Sequence, residues 1–400
     1  MEPGNLDPID KTFSYVFRYL TFFGLFTYNY NLNQRKLIHR PLAVVYCAFI
    51  DFFLLATSNF YLNYFPFASY HEIYTKHDLA LFWRSDLLLV NFACLVISRV
   101  KSWTMRSNIK EIFDELNKIR LIDLADLARS NFEVRNELKK IIFLKLMCSI
   151  TIVSISCSST MYQSIGGSAV DYFWEVVFVI NMILLNAVEN EINFGMLYGV
   201  YLFKLLNFHL QSMVEEIKVS LENVNMSAVN EETNFLCGEF LKIARTHTKV
   251  FKLIVELKNC FQMSIMFILL GIIASQFYFA FLIVVLLSGT FADVSFFATC
   301  AFLSLVTAFL NLWLLTHICG DIIDSCNEPA HILGLLPSHV LLNDRLEKTI
   351  QSVTLMAKQE QMNLSIYGFF NLEWATAFIA TSTALDYLII VVQFDYYNFK

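Results

Sequence analysis

Long apolar runs separated by charged segments dominate the pattern of this chain. A helix needs about 20 mostly apolar residues to cross a lipid bilayer. Seven runs meet that requirement, and we expect a membrane-spanning helix in each of them: 41–63, 79–98, 141–163, 172–203, 261–288, 295–319 and 367–394. The pattern therefore predicts an all-α integral membrane protein with seven transmembrane helices.

A shorter apolar stretch, 13–26, precedes the first span and contains Arg18. It lacks the charged start and the small-residue cleavage site of a signal peptide. We expect it to form an amphipathic helix at the membrane interface, within an amino-terminal segment 1–40 that stays in the cytosol.

Composition supports the membrane assignment. Hydrophobic residues make up 56% of the 400 residues and charged residues only 16%, whereas soluble domains carry about 25% charged residues. A soluble domain of this size could not bury so much apolar surface. The net charge of −6 argues against nucleic acid as a partner.

The distribution of basic residues predicts the orientation, because Lys and Arg remain on the cytosolic side. The segments 1–40, 99–140, 204–260 and 317–366 hold 25 of the 29 basic residues, and the alternate segments hold only Lys76 and Lys400. We therefore expect a cytosolic amino terminus and an extracellular carboxyl terminus, as an odd number of spans requires.

The cytosolic segments carry apolar residues at helical spacing between charged ones, which predicts helices that extend the spans below the bilayer. We expect the spans of 41–319 to include long cytosolic helices at 99–140 and 204–260. An anchor helix is expected within 320–366, and a last helix and short tail in 367–400. The pattern leaves open whether these extensions pack within one chain or between subunits. The stripes are Ile109, Ile112, Leu116 and Ile119; Leu236, Phe240, Ile243, Val250, Ile254 and Leu257; and Leu346, Ile350 and Val353.

Known catalytic and metal-binding patterns are missing from the sequence. It has no HExxH motif, no Cys/His cluster, no glycine-rich phosphate loop and no GxSxG elbow, so we expect no enzyme activity, metal or cofactor. A G-protein-coupled receptor would have the opposite orientation and prolines in its spans, but none lies between Pro66 and Pro329. No G protein partner is therefore expected. A secondary transporter would show matching halves with interrupted helices, which leaves a receptor or channel of straight helices.

The last span is unusual because small and polar residues follow one side of it. Ala375, Ile379, Ser382, Asp386, Ile390 and Gln393 lie on that side of a helix. Such a stripe is typical of a face that lines water or another helix. A ring of carboxylates from Asp386 would favour cations in a symmetric pore. The alternative is that Asp386 bonds a hydroxyl group within its own subunit.

Two stretches of the chain resemble the carboxyl-terminal signature of insect gustatory receptors. The first is Gly368-Phe369-Phe370-Asn371-Leu372. The second is Tyr387, five apolar residues and Gln393-Phe394. The family signature has Thr where this chain has Asp386. The resemblance extends to the length, the seven spans, the orientation and the cytosolic helices.

The resemblance implies a homo- or heterotetrameric ligand-gated cation channel, related in fold to insect odorant receptors, in the plasma membrane of sensory neurons. In that family the last span lines a central pore and the cytosolic helices anchor the subunits together. Carried over to this chain, Gln393 would line the outer pore and Ile390 would form the apolar gate, with Asp386 and Ser382 on the same face. Asp386 in place of Thr puts ion selectivity in doubt, not the fold.

The resemblance also implies a pocket for a small organic tastant in the outer half of each subunit. From depth alone we expect aromatic and polar side chains of spans two to six to line it. Among taste modalities, we favour a bitter or otherwise aversive compound as the stimulus. The alternative is a chemoreceptor subunit that does not conduct ions, or that conducts them only as part of a heteromer. The predicted pocket residues are Trp83, Arg84, Asp86, Ser158, Tyr162, Trp174, Glu175, Gln276, Tyr278, Phe281, Phe296 and Phe297.

Overall fold

A computed structural model describes residues 8–64, 78–163, 169–222, 229–288, 294–336 and 344–398. Helices account for nearly all of this part of the chain, together with two short antiparallel hairpins. In chain order the elements are α1 (Pro8–Phe22), β1 (Tyr28–Asn31), β2 (Lys36–His39), α2 (Pro41–Tyr64), α3 (Asp78–Ile122), α4 (Ala125–Ser130), α5 (Phe132–Gln163), α6 (Ala169–Glu222), α7 (Val229–Ser288), α8 (Val294–Gly334), α9 (Asp344–Gln359), β3 (Ser365–Ile366), β4 (Phe370–Asn371) and α10 (Trp374–Asn398).

The long helices continue well beyond the predicted spans. Helices α6 and α7 have 54 and 60 residues, about 80 and 90 Å at 1.5 Å per residue, far more than the roughly 30 Å of a bilayer core. Among the described residues, three helical segments are long and apolar enough to cross a membrane: Thr233–Leu287, Ala298–Gly334 and Trp374–Gln393. The number of spans and the orientation stay predictions.

Helix α6 forms the centre of the bundle. Every residue from 184 to 203 is buried, with α5, α7, α8 and part of α3 packed around it. The apolar stripes predicted for the cytosolic extensions are buried within the single chain, including Leu116, Phe240, Ile254 and Ile350. Intrachain packing is therefore sufficient to account for these stripes.

The amino-terminal helix α1 packs its apolar face against the protein. Phe13 lies 4.6 Å from Tyr198 of α6, and Phe17 lies 5.3 Å from Phe113 of α3, measured between ring centroids. Gly24, with φ of +70°, ends the helix as a left-handed cap. The apolar face of this predicted interfacial helix is thus covered by protein. Contact between its exposed face and the membrane interface stays a prediction.

The segment before the last helix forms a hairpin instead of the start of a span. Strands β3 and β4 pair antiparallel, and Tyr367 and Gly368 in the turn have φ of 49° and 73°. Glycine adopts that left-handed conformation without steric cost, which accounts for Gly368 in the family signature. The last helix begins at Trp374, several residues later than the span 367–394 predicts.

Candidate functional site

A cavity of about 70 Å³ lies between helices α3, α5, α6, α7 and α8. Its apolar walls include Ile152, Met182, Leu185, Ile268, Ile272 and Phe279. Seven side chains with hydrogen-bonding groups complete the lining: Asn91, Asn186, Glu189, Ser275, Ser304, Thr307 and Asn311. The site therefore combines an apolar wall with convergent polar groups, as small-molecule sites commonly do.

A buried ion pair lies beside this cavity. Lys145 of α5 is 1% exposed, and its Nζ atom lies 3.1 Å from Glu189 Oε2 and 2.8 Å from Asn311 Oδ1. A smaller space of about 10 Å³ is bordered by the same three residues. The ammonium group is thus held by one residue of α6 and one residue of α8, and the pair adds no net charge to the site.

A polar stretch of α6 supplies much of this network. Asn186 and Glu189 line the cavity, while the neighbouring Asn190 accepts from Ser149 and donates to the hydroxyl of Tyr19 in α1. Glu191 is also buried, and neither of its carboxylate oxygens has a hydrogen-bond partner among the described residues. None of these residues belongs to the predicted pocket set. Five Asn and Glu within the eight positions 186–193 of one predicted span are nevertheless a signal that the sequence contains.

Of the predicted pocket residues, those on α7 lie on another face of that helix. Ser275 and Phe279 line the cavity, whereas Gln276 accepts a 3.4 Å hydrogen bond from Thr381 of α10. Tyr278 and Phe281 are buried in a separate apolar cluster with Leu388 of α10. Position along a helix does not specify the face on which a side chain lies, because one residue turns the side chain by about 100°. Whether these residues contact a ligand stays a prediction.

The other predicted pocket residues are dispersed. Trp83 packs on Phe277 at 4.4 Å between ring centroids, Asp86 is half-buried, and Ser158 and Phe296 are exposed. None of the described members of the set borders the cavity. The side chains of Arg84, Tyr162, Trp174, Glu175 and Phe297 lie outside the described part of the structure.

The last helix presents two different faces. Ala377, Ala384 and Leu388 are buried against the rest of the chain. The predicted stripe is exposed, including Ile379, Ser382, Asp386, Ile390 and Gln393. Only 11% of the most apolar 18-residue stretch of this helix is buried. Within one chain, the polar stripe therefore has no protein covering it.

Metal binding has no support in the described ranges, because no group of three or more His, Cys, Asp or Glu side chains there could hold an ion.

The fold resembles that of a solved insect olfactory receptor. The structure of the olfactory receptor OR5 from Machilis hrabei matches with a TM-score of 0.69 at 12% sequence identity, over 96% of this chain and 98% of that one. The same receptor in complex with eugenol matches with a TM-score of 0.65 at 13% identity and the same coverage. The protein is therefore an all-α membrane protein whose fold resembles that of this olfactory receptor.

The chain belongs to the 7tm Chemosensory receptor family, whose model matches residues 13–398. It is also 26% identical over 95 residues to the Gustatory receptor for bitter taste 22e of Drosophila melanogaster, a match that spans 24% of each chain. The resemblance to gustatory receptors is thereby confirmed at the level of the family. The protein is a multi-pass chemosensory receptor and not an enzyme.

Proposed function

We propose that this receptor is a gustatory-type tetrameric channel, opened by a small organic tastant and permeable to cations without strong selectivity. The observation that carries the proposal is the exposed polar stripe of α10. A lone Asp in contact with lipid costs several kcal/mol, so Asp386 needs water or protein beside it. Four copies of α10 around a central axis would supply both.

The cavity between helices α3, α5, α6, α7 and α8 is the proposed tastant site, in place of the set predicted from depth. Helix α7 connects it with the proposed pore helix, since Ser275 borders the cavity while the next residue, Gln276, contacts Thr381 of α10. A ligand that shifts α7 would therefore act on the helix that carries Ser382, Asp386, Ile390 and Gln393. Ile390, on the exposed stripe, is the proposed apolar gate, which blocks ions by dewetting.

A bitter or aversive stimulus is the proposed modality, supported by the partial match to a bitter-taste receptor. The receptor would act in the plasma membrane of sensory neurons, as a homotetramer or with related subunits and without a G protein. The alternative is a subunit that does not conduct or that requires a partner subunit.

Whole-cell current from the chain expressed alone, screened against pooled tastants with ion substitution, tests the proposal. We expect a ligand-dependent cation current, and we expect Asp386→Thr to leave assembly intact while changing the permeability to divalent cations. An unchanged reversal potential in calcium-rich solution would overturn the charged ring at Asp386. Surface-expressed protein that stays silent alone but conducts beside a related subunit would support the heteromeric alternative.

A further inference from the structure

The exposed side of α1 carries basic and aromatic side chains in a row. Lys11, Tyr15, Arg18 and Phe22 are all exposed, and their spacing of three or four residues places them on one side of the helix. We call these four residues the basic–aromatic stripe. The opposite, apolar side of α1 is buried against the protein. The stripe is therefore the side of α1 that is available to a partner.

The cations of the stripe carry charge that the described part of the protein does not neutralise. Asp10 is the one acidic residue of the segment 8–40, and it is buried and already paired with two other arginines. Within the described ranges, no ion pair includes Lys11, Arg18 or the exposed Arg40 that precedes α2. This part of the surface is therefore positively charged.

The carboxyl-terminal end of the stripe lies beside the first predicted span, 41–63. The hydroxyl of Tyr46 donates to the carbonyl oxygen of Phe22 at 2.7 Å, and a Cβ atom at Gly24 would lie 2.9 Å from Ile50 Cδ1. Both contacts fall within the first ten residues of α2. The predicted orientation places this end of α2 at the cytosolic surface of the bilayer, so the end of α1 lies where lipid meets cytosol.

The stripe also continues an apolar surface of α2. Leu42, Val45 and Phe49 are exposed at helical spacing, which is the pattern expected of the side of a span that faces lipid. Tyr46 lies on the edge of that side and bonds the backbone of Phe22. Lipid that covers the first turns of α2 would therefore also reach α1.

We propose that the basic–aromatic stripe, together with Arg40, binds the headgroups of anionic phospholipids in the cytosolic leaflet. Lys11, Arg18 and Arg40 would donate hydrogen bonds to phosphate oxygens, while Tyr15 and Phe22 lie where the headgroups meet the acyl chains, a position that aromatic rings favour. The negative charge of that leaflet complements the stripe. A soluble acidic protein would match the cations but not the aromatic side chains. The inference depends on the predicted orientation and not on channel activity.

Lipid binding to the purified full-length receptor, counted by native mass spectrometry in mild detergent, tests the proposal. Phosphatidylserine and phosphatidylcholine with identical acyl chains are titrated separately. Each cation near an anionic lipid surface changes binding about fivefold, so we expect phosphatidylserine to bind at least about tenfold more tightly. The preference is expected to shrink as salt is added, because salt screens exposed charges. Equal affinity for the two lipids overturns the proposal, and so does a preference that salt leaves unchanged.

Two double variants locate the binding surface. Lys11→Gln with Arg18→Gln is expected to weaken phosphatidylserine binding at least about tenfold and to leave phosphatidylcholine binding unchanged. Arg245→Gln with Lys348→Gln is the matched control, because it removes the same charges from exposed positions of α7 and α9. Both variants should unfold at the wild-type temperature, since they change exposed side chains. Equal losses in the two variants would show that net charge, and not the stripe, attracts the lipid.

The same measurements identify a different occupant of the stripe. A variant of Lys11 and Arg18 that keeps its lipid preference but loses its oligomer would make the stripe a contact between subunits. Polyglutamate that binds the wild-type receptor more tightly than phosphatidylserine, through the same two residues, would assign the stripe to an acidic protein. Either result overturns the lipid proposal.

Discussion

Lys145 and Glu189 form a fully buried ion pair in which each partner compensates the charge of the other. The side chains are 1% and 10% exposed, so bulk solvent screens neither charge strongly. Two charges taken out of water stabilise a fold little as a pair, but removal of one of them leaves an uncompensated buried charge. The cost of breaking this pair is therefore expected to exceed its net contribution.

Lys145→Met tests this asymmetry. We expect it to destabilise the receptor by about 3–5 kcal/mol and the double variant with Glu189→Gln to recover most of the loss, measured as the thermal unfolding midpoint in nanodiscs. Lys118→Met is the matched control, because Lys118 pairs with Glu115 at 3.3 Å on the exposed surface, where such pairs contribute less than about 1 kcal/mol. Equal losses in the two single variants would contradict the interpretation.

His247 is a buried histidine where α7, α8 and the segment after α9 meet. Its Nε2 atom lies 3.0 Å from the carbonyl oxygen of Cys326, and its Nδ1 atom lies 3.7 Å from the Glu360 carboxylate. Burial lowers the pKa of His247, although the Cys326 carbonyl and Glu360 act in the opposite direction. Burial also raises the pKa of the Cys326 thiol to about 12, so the thiol stays protonated and unreactive.

The lowered pKa of His247 predicts a stability that falls with acidity. The unfolded chain takes up a proton near the ordinary histidine pKa of about 6.5, whereas the folded chain does so only at lower pH. Folding is therefore opposed as the pH falls through the window below about 6.5. We expect the wild-type unfolding midpoint to drop in that window more steeply than the midpoint of His247→Gln. A shallower wild-type slope would show that protonation stabilises the fold.

The residue scale also shows where prediction from sequence was incomplete. Apolar residues at helical spacing were sufficient to predict which side chains of the helices expected in the cytosol are buried, as at Ile109 and Val250. The partners of the polar residues could not be predicted in this way. Lys145 contacts Asn311, far away in sequence, because the packing of the helices brings them together. The spacing of polar and apolar residues along one sequence does not predict such a contact.

At the scale of elements, the helices α6, α7 and α8 approach closely at a glycine. A Cβ atom at Gly199 of α6 would lie 2.6 Å from Ile254 Cδ1 and 2.9 Å from Ile322 Cδ1. Both isoleucines are completely buried, so neither can move aside without disturbing the core. The helical pattern of the sequence predicts α6 but not this contact, because a glycine within a long helix does not by itself indicate where another helix approaches.

Gly199→Ala is expected to destabilise the receptor by about 1–3 kcal/mol through overpacking, read as a lower thermal unfolding midpoint. Gly238→Ala is the control, because Gly238 is exposed within α7 and a Cβ atom there meets nothing within 4 Å. That control is expected to gain up to about 1 kcal/mol from helix propensity. A gain in both variants would mean that the helices separate at no cost.

The two hairpins are elements that the hydrophobic pattern did not predict. Each strand of the β3–β4 pair has only two residues, too short for an alternating pattern to be recognised. The turn requires a left-handed backbone conformation at Tyr367 and Gly368, and the hydrophobic pattern contains no information about backbone angles. The helices, by contrast, were predictable because their periodicity extends over many turns.

At the scale of the whole molecule, one chain leaves a polar face of α10 uncovered. The buried face, with Ala377, Ala384 and Leu388, fixes the helix on α7 and α8, so the orientation of the stripe is a consequence of intrachain packing. The stripe itself was predictable from spacing. The partner that the stripe contacts depends on how subunits assemble. The sequence of one subunit indicates that assembly only through the family resemblance.

Disulfide crosslinking tests the assembly without any knowledge of the ligand. Four copies of α10 around an axis would bring the residues at position 390 close together at the gate, so Ile390→Cys is expected to form subunit dimers under mild oxidation in intact membranes. Leu388→Cys is the matched control, because Leu388 is 9% exposed and packs in the cluster with Phe281 and Val285 of α7.

The unmodified chain, with its nine cysteines, gives the background for non-reducing gels. Dimers at position 390 and none above background at 388 would support a central pore of α10 helices, since only the exposed stripe could then face the axis. Dimers at 388 alone would place the opposite face of α10 at the axis and overturn the pore assignment of Ser382, Asp386, Ile390 and Gln393. No dimers at either position, with surface expression intact, would contradict a narrow gate at Ile390.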